Sequence, residues 1–393
     1  MRRTIIKGLA VVLAVLVLPI ALFALFHPHA AVNLTRVGTA GIADVDAFQP
    51  AQVVRGCPAA GFEQASPGTL PAAAFAAMKS YSDKLGGAAL LVLVDGRIAG
   101  ESYAPGIGPD TRLQSMSMHK SVVGMVTGAA IADGLIGSAD DPLGAHLAEW
   151  RTDPRGKLTL RQVLSQTSGL HNPSMSRLEG AAFEVMLGDV TKTVLALPQD
   201  NPPGRFNYNN ANFQLAGLTL ARAAAAGGKD GYARYLSERI WCPLGNRDAM
   251  LWLEDEKGQP RTYAYLNATA RDWGRVGELL RRKGEWQGRQ LIPAAWIEAI
   301  TAPSPANPNY GLGIWRGSPW NKARRYSREV SLTVPQNEPF LADDVLYFDG
   351  FGGQRVYVVP SARLVIVRFG KPSTAWEESA LVNAALRGLK NGH

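Results

Sequence analysis

Ser117-Met118-His119-Lys120 places a hydroxyl and an amine three residues apart at the start of an apolar run that ends at Asp133-Gly134. Positions i and i+3 share a helix face, so the Lys120 amine can reach the Ser117 oxygen. A serine hydroxyl is a poor nucleophile until a neighbouring base removes its proton. Lysine is such a base when burial or the positive end of a helix favours the neutral amine. A second element, Pro203-Gly-Arg-Phe-Asn-Tyr208-Asn209-Asn210, precedes a long apolar helix. Tyr208 can relay a proton, and Asn210, two residues on in an extended segment, can orient an amide or carbonyl. Tyr265-Leu266-Asn267 repeats the Tyr-x-Asn pattern. Tyr208 is preferred because the Pro-Gly turn and the following helix fix its place. A third element, Tyr347-Phe-Asp349-Gly350-Phe351-Gly-Gly-Gln354, leads into a strand. Its glycines admit a substrate close to the backbone, where an amide, with that of Ser117, can stabilise an oxyanion.

The elements that must position these residues are legible in the periodicity. A helix is expected over residues 71–85. Ala88–Val94 and Arg97–Tyr103 flank Asp95-Gly96, a hairpin signal. The pattern from Ser117 to about residue 300 is mostly helical, with a capping box at Thr269-Ala-Arg-Asp272. Strands are expected at 311–315, 344–348, 355–359 and 364–369, then a helix over 375–389. Strands at both ends around a helical middle predict an α+β fold: an antiparallel sheet flanked by helices, with an inserted all-helical region.

In this order and spacing, the three elements resemble the serine beta-lactamase and penicillin-recognising superfamily. The similarity is greatest to its class C-like branch of carboxylesterases, D-amino-acid peptidases and nylon-oligomer hydrolases. It covers roughly residues 75–390 and includes Thr159 to Leu170, with its Thr-Ser-Gly-Leu ending. The resemblance implies Ser117 as acylated nucleophile, Lys120 as base, Tyr208 as proton relay and Asn210 as a positioning residue. Many relatives carry Lys-Thr-Gly or His-x-Gly where this chain has Phe348-Asp349-Gly350, or, three residues on, Phe351-Gly352-Gly353. The oxyanion amide is accordingly that of Phe351 or of Gln354. Neither register supplies a cation, and Asp349 is expected either to oppose anionic substrates or, since side chains alternate along a strand, to turn away from the cleft. An ester or amide hydrolase is the resulting expectation. A D-amino-acid peptidase, a beta-lactamase or a non-catalytic peptidoglycan-binding protein are the alternatives.

Composition agrees with a large enzyme. The chain has 393 residues, 46% of them hydrophobic, and a formal charge of +8. Its basic clusters are short and lack interleaved aromatics, so no nucleic-acid partner is expected. Gly-x-Ser-x-Gly, His-Glu-x-x-His and complete nucleotide-binding glycine motifs are absent, and no metal or cofactor is implied. His119 reads as packing, and His146 and His171 as satisfied or exposed. Residues 8–26 form an uncharged apolar run behind a basic tail. An inner-membrane anchor facing the periplasm, or a cleaved signal, is expected over 1–26. Residues 27–68 then read as a linker and 69–393 as the hydrolase domain. Cys57 and Cys242 are either one disulfide or two buried thiols.

Overall fold

The computed structural model describes residues 17–19, 21–26, 28–36, 39–173, 189–228, 231–254, 258–327 and 332–391. Its strands are β1 (Ala51–Val54), β2 (Gly87–Val94), β3 (Arg97–Tyr103), β4 (Ala249–Trp252), β5 (Leu266–Asn267), β6 (Glu285–Trp286), β7 (Arg289–Gln290), β8 (Trp315–Arg316), β9 (Ala323–Arg325), β10 (Thr333–Pro335), β11 (Leu346–Gly350), β12 (Gln354–Val359) and β13 (Leu364–Gly370). Six of them form the main sheet in the order β3-β2-β13-β12-β11-β8, every pair antiparallel. The N-terminal hairpin thus sits beside the last strand, as the α+β expectation requires.

The sheet is buried on both faces, and residue alternation decides which side chain goes where. Leu91, Leu93, Val356, Val358, Val365 and Val367 face the larger core, which contains α2 (His119–Ala132), α3 (Leu160–Leu164), α4 (Asn210–Ala226) and α5 (Ala270–Arg281). Leu90, Val92, Tyr357, Val359 and Ile366 face the other way, toward α1 (Ala72–Lys84) and α6 (Ala380–Asn391). Helix α5 opens with the predicted capping box at Thr269 and Asp272. It lies so close to the sheet that a Cβ at Gly277 would stand 2.7 Å from Val365 and 2.9 Å from Val356. In the β2–β3 hairpin, Asp95 and Gly96 both take positive φ, 52° and 75°, as a tight two-residue turn demands.

Three local expectations change. The strand expected at 311–315 is reduced to Trp315–Arg316. The last helix begins at Ala380 rather than near 375. Residues 27–68 are not a plain linker. From residue 39 the segment packs on the domain: β1 pairs with β4, the Phe48 ring lies tilted against Trp252 with centroids 4.4 Å apart, and Cys57 is disulfide-bonded to Cys242. Lack of periodicity concealed this, because a short strand added to a distant partner leaves no local pattern. Of the apolar N-terminal run, residues 1–16 and 20 lie outside the described residues. Among the described residues no helix is long and apolar enough to cross a membrane.

Candidate active site

Ser117 lies in a 3₁₀ turn, Met116–Met118, that runs directly into α2. Lys120 stands in the first turn of α2, buried, with its Nζ 2.8 Å from Ser117 Oγ and 2.6 Å from the Tyr263 carbonyl oxygen. The helical spacing therefore does what the sequence suggested. Tyr208 completes the group: its ring centroid is 4.9 Å from Lys120 Nζ. Burial pushes the Tyr208 phenol well above its ordinary pKa, reinforced by Tyr310 and Asp349, while Ser117 acts the other way. Tyr208 is thus a neutral phenol at physiological pH and carries a proton to give.

The backbone around Tyr208 is held from three sides. Its N–H donates to the Tyr326 carbonyl at 3.2 Å, and its own carbonyl accepts from Asn172 Nδ2 at 3.0 Å. Gln166 Oε1 accepts from the Asn209 amide and from Asn212 Nδ2 at 2.9 and 2.7 Å. The Thr159–Leu170 stretch is thereby the cradle of the tyrosine segment. Asn209, not Asn210, is the extended residue, capping α4 through its side chain. Asn210 is the first residue of α4, so the strict alternation with Tyr208 is broken by the start of the helix.

The third element is a hairpin. Gly350 and Gln354 pair across the turn Phe351-Gly352-Gly353, whose two glycines take φ of 74° and 91°. Strand β8 pairs with Leu346 and Tyr347 only, so it does not cover β11 from Phe348 onward. There Gly350 abuts the serine segment: a Cβ would lie 2.6 Å from the Ser115 carbonyl oxygen. Phe351 is half exposed. Gln354 is buried and its carboxamide clasps Gly370, donating to its carbonyl at 2.8 Å and accepting its amide at 2.9 Å. Gln354 is thus a strand residue that locks β12 to β13, while Phe351 opens the turn that follows Gly350.

Asp349 is not a bare anion in a cleft. It is buried, with Oδ1 2.5 Å from Arg355 Nη1 and Oδ2 3.3 Å from Arg324 Nη1. The same two arginines grip Glu378, Arg355 Nε at 2.7 Å and Arg324 Nη2 at 2.9 Å. Burial raises the Glu378 pKa, but Arg355 and Arg324 together hold it down to about 2. Arg324 comes from β9 and lies over the Trp315 and Tyr326 rings, 4.1 and 4.5 Å from their centroids. Both rings pack on Tyr208. The expected opposition to anionic substrates is therefore corrected: two guanidiniums compensate the carboxylate. Beneath the site, His119 donates from Nδ1 to the Ala264 carbonyl and accepts at Nε2 from the Tyr232 hydroxyl, both at 2.9 Å. Desolvation lowers its pKa to about 4, so it is a neutral packing group.

A serine within hydrogen-bond reach of a lysine amine, a tyrosine beside them and a strand end left uncovered is an arrangement suited to acyl transfer. The Beta-lactamase family model matches residues 72–374. The chain belongs to the Beta-lactamase family. It has the family's helix-and-antiparallel-sheet fold. It is 27% identical over 233 residues to the 6-aminohexanoate-dimer hydrolase of Paenarthrobacter ureafaciens, spanning 54% of this chain and 57% of that one. The chain thus spans less than two thirds of that relative. A Bacillus anthracis structure described as a 6-aminohexanoate-dimer hydrolase superposes with a TM-score of 0.70 at 22% identity, covering 89% of this chain and 92% of that one. A D-stereospecific amidohydrolase from Streptomyces has a TM-score of 0.56 at 18% identity, with 82% and 98% covered. At these identities the two structures speak for the fold alone.

Proposed function

We propose that this Beta-lactamase family member is an exported serine hydrolase that cleaves a small ester or linear amide through an acyl-enzyme. The observation that carries the reading is Lys120 Nζ at 2.8 Å from Ser117 Oγ, with the Tyr208 ring 4.9 Å from the same amine. Ser117 Oγ attacks the substrate carbonyl carbon while its proton passes to neutral Lys120. The amides of Ser117 and Phe351 hold the oxyanion. As the tetrahedral adduct collapses, Tyr208 gives its proton to the leaving nitrogen or oxygen and regains one from the Lys120 ammonium. Water then attacks the acyl-serine, losing a proton along the same path, and the carboxylic acid leaves with Ser117 restored. Asn210 orients the substrate carbonyl or amide from the start of α4. The 27% identical relative named for a 6-aminohexanoate dimer, a linear amide, favours a linear amide here.

Export is proposed from the basic tail and apolar run of residues 1–26, with the Cys57–Cys242 disulfide suited to an oxidising compartment. One experiment tests both parts. A fluorescent fluorophosphonate added to fractionated cells should label the chain in the membrane or periplasmic fraction, and Ser117→Ala should abolish label and turnover, by on the order of 10³-fold or more. An Ala variant that still labels sinks the nucleophile assignment, and label confined to the cytosol sinks export.

A further inference from the structure

Met116, immediately before the nucleophile, has a φ of 48°, and Tyr265 has a φ of 68°. Non-glycine residues seldom occupy this left-handed region, and they hold it only where surrounding structure determines it. The two are bonded to each other: the Tyr265 amide donates to the Met116 carbonyl at 3.2 Å. One residue upstream, the Ser115 amide donates to Asn267 Oδ1 at 3.2 Å, and Leu113 pairs with Ala268. On the other side of the serine, Tyr263 and Ala264 offer their carbonyls to Lys120 and His119. Residues 263–268 thus hold Ser115 and Met116 just before the nucleophile and His119 and Lys120 just after it. They are braced in turn, because β5 pairs with β4 and the Tyr265 ring stacks on Trp252 at 4.4 Å.

Resting on the acyl-enzyme reading above, we propose that Tyr265-Leu266-Asn267 is a positioning clamp for the nucleophile. Asn267 is its side-chain jaw and the Tyr265 amide its backbone jaw. Met116 sits in a conformation an L-residue does not choose, so the turn needs an outside hold to keep Ser117 Oγ within reach of Lys120. Asn267 is fully buried, its oxygen answers the Ser115 amide, and its distance along the chain makes it part of no local motif. The Tyr-x-Asn pattern here therefore serves the serine from behind, while Tyr208 meets it from the front.

The test compares Asn267→Ala and Asn267→Asp by the second-order rate of fluorophosphonate labelling, kcat and KM on a p-nitrophenyl ester, and thermal unfolding. Ala removes the acceptor, and Asp keeps an oxygen in its place. The Ala variant should label and turn over about 10-fold slower or worse at little-changed KM, with Asp recovering to within roughly threefold of the parent, since small misplacements of a reacting group have large rate costs. An Ala variant that labels at the parent rate overturns the clamp, as does an equal loss in both variants that follows their loss of stability. Should Ala not fold, Asp decides alone: folded and near the parent rate supports the clamp, folded and about 10-fold slower overturns it. Failure of the parent chain to label would instead strike the acyl-enzyme reading itself.

Discussion

Two groups of polar side chains meet at the end of β11, and they are satisfied in opposite ways. Around Ser117 the partners in hand are backbone carbonyls and a neutral hydroxyl: Tyr263 for Lys120, and Ala264 and Tyr232 for His119, with the Tyr208 ring beside the lysine. Beyond the strand, Asp349 and Glu378 share Arg324 and Arg355, two anions against two cations, all four buried. The first group is arranged to pass a proton, the second to keep its charges fixed. A buried charge tolerates burial only when it is paired, and a reactive amine is useful only when it can lose its proton. The contrast supports the chemistry proposed for Ser117, Lys120 and Tyr208 and a scaffold role for Asp349, although sequence alone put all four along one cleft.

Replacing Lys120 by arginine should break the first group most severely. Arginine keeps the cation and the hydrogen-bonding capacity but stays protonated at any working pH, so it cannot accept the serine proton. Turnover and labelling should fall by about 10³-fold, within the range that positioned proton transfer contributes. A burst of labelled enzyme at the parent rate would show that position 120 supplies only charge.

The division between what was and was not legible follows sequence distance. The Ser117–Lys120 contact is an i,i+3 pair and could be read directly, as could the Asp95-Gly96 hairpin and the Thr269 cap. The groups that tune the site come from far away: Tyr263 reaches Lys120 across 143 positions, and Tyr232 reaches His119 across 113. The partners of Asp349 were invisible for a related reason. Arg324 lies on a three-residue strand of another, two-stranded sheet, and no periodicity connects it to the Asp-Gly motif. Strand alternation did leave open that Asp349 turned away from the cleft, but only the packed structure names what it turned toward.

Asp349→Asn should break the second group, with a smaller effect on chemistry than on folding. It leaves Arg324 and Arg355 with Glu378 as their remaining carboxylate, and removing one member of a buried pair typically costs about 3–5 kcal/mol. A fall in thermal stability of that order is expected. The preference between anionic and neutral esters should stay within about twofold, because the carboxylate is already compensated where it stands. A gain of tenfold or more for the anionic ester at unchanged stability would return Asp349 to the substrate pocket.

The two groups should also separate by pH, and this is the smallest effect expected. The His119 pKa is lowered to about 4 by burial, so below the ordinary histidine value of about 6.5 the unfolded chain takes up a proton that the folded chain refuses. Its contribution to stability is complete above that value and is lost as pH falls through about 4. At 1.36 kcal/mol for each tenfold change in proton affinity, the loss amounts to roughly 3 kcal/mol. Glu378, held down to about 2 by its arginines, loses its contribution only at lower pH, as pH falls from the ordinary glutamate value toward about 2. Unfolding followed from pH 7 to 3 should therefore show an upper decline that His119→Gln flattens and a lower one that it leaves in place. If the variant and the parent declined in parallel above pH 4.5, His119 would not be the neutral group beneath the serine, and the neutral character assigned to that side of the strand would lose its clearest support.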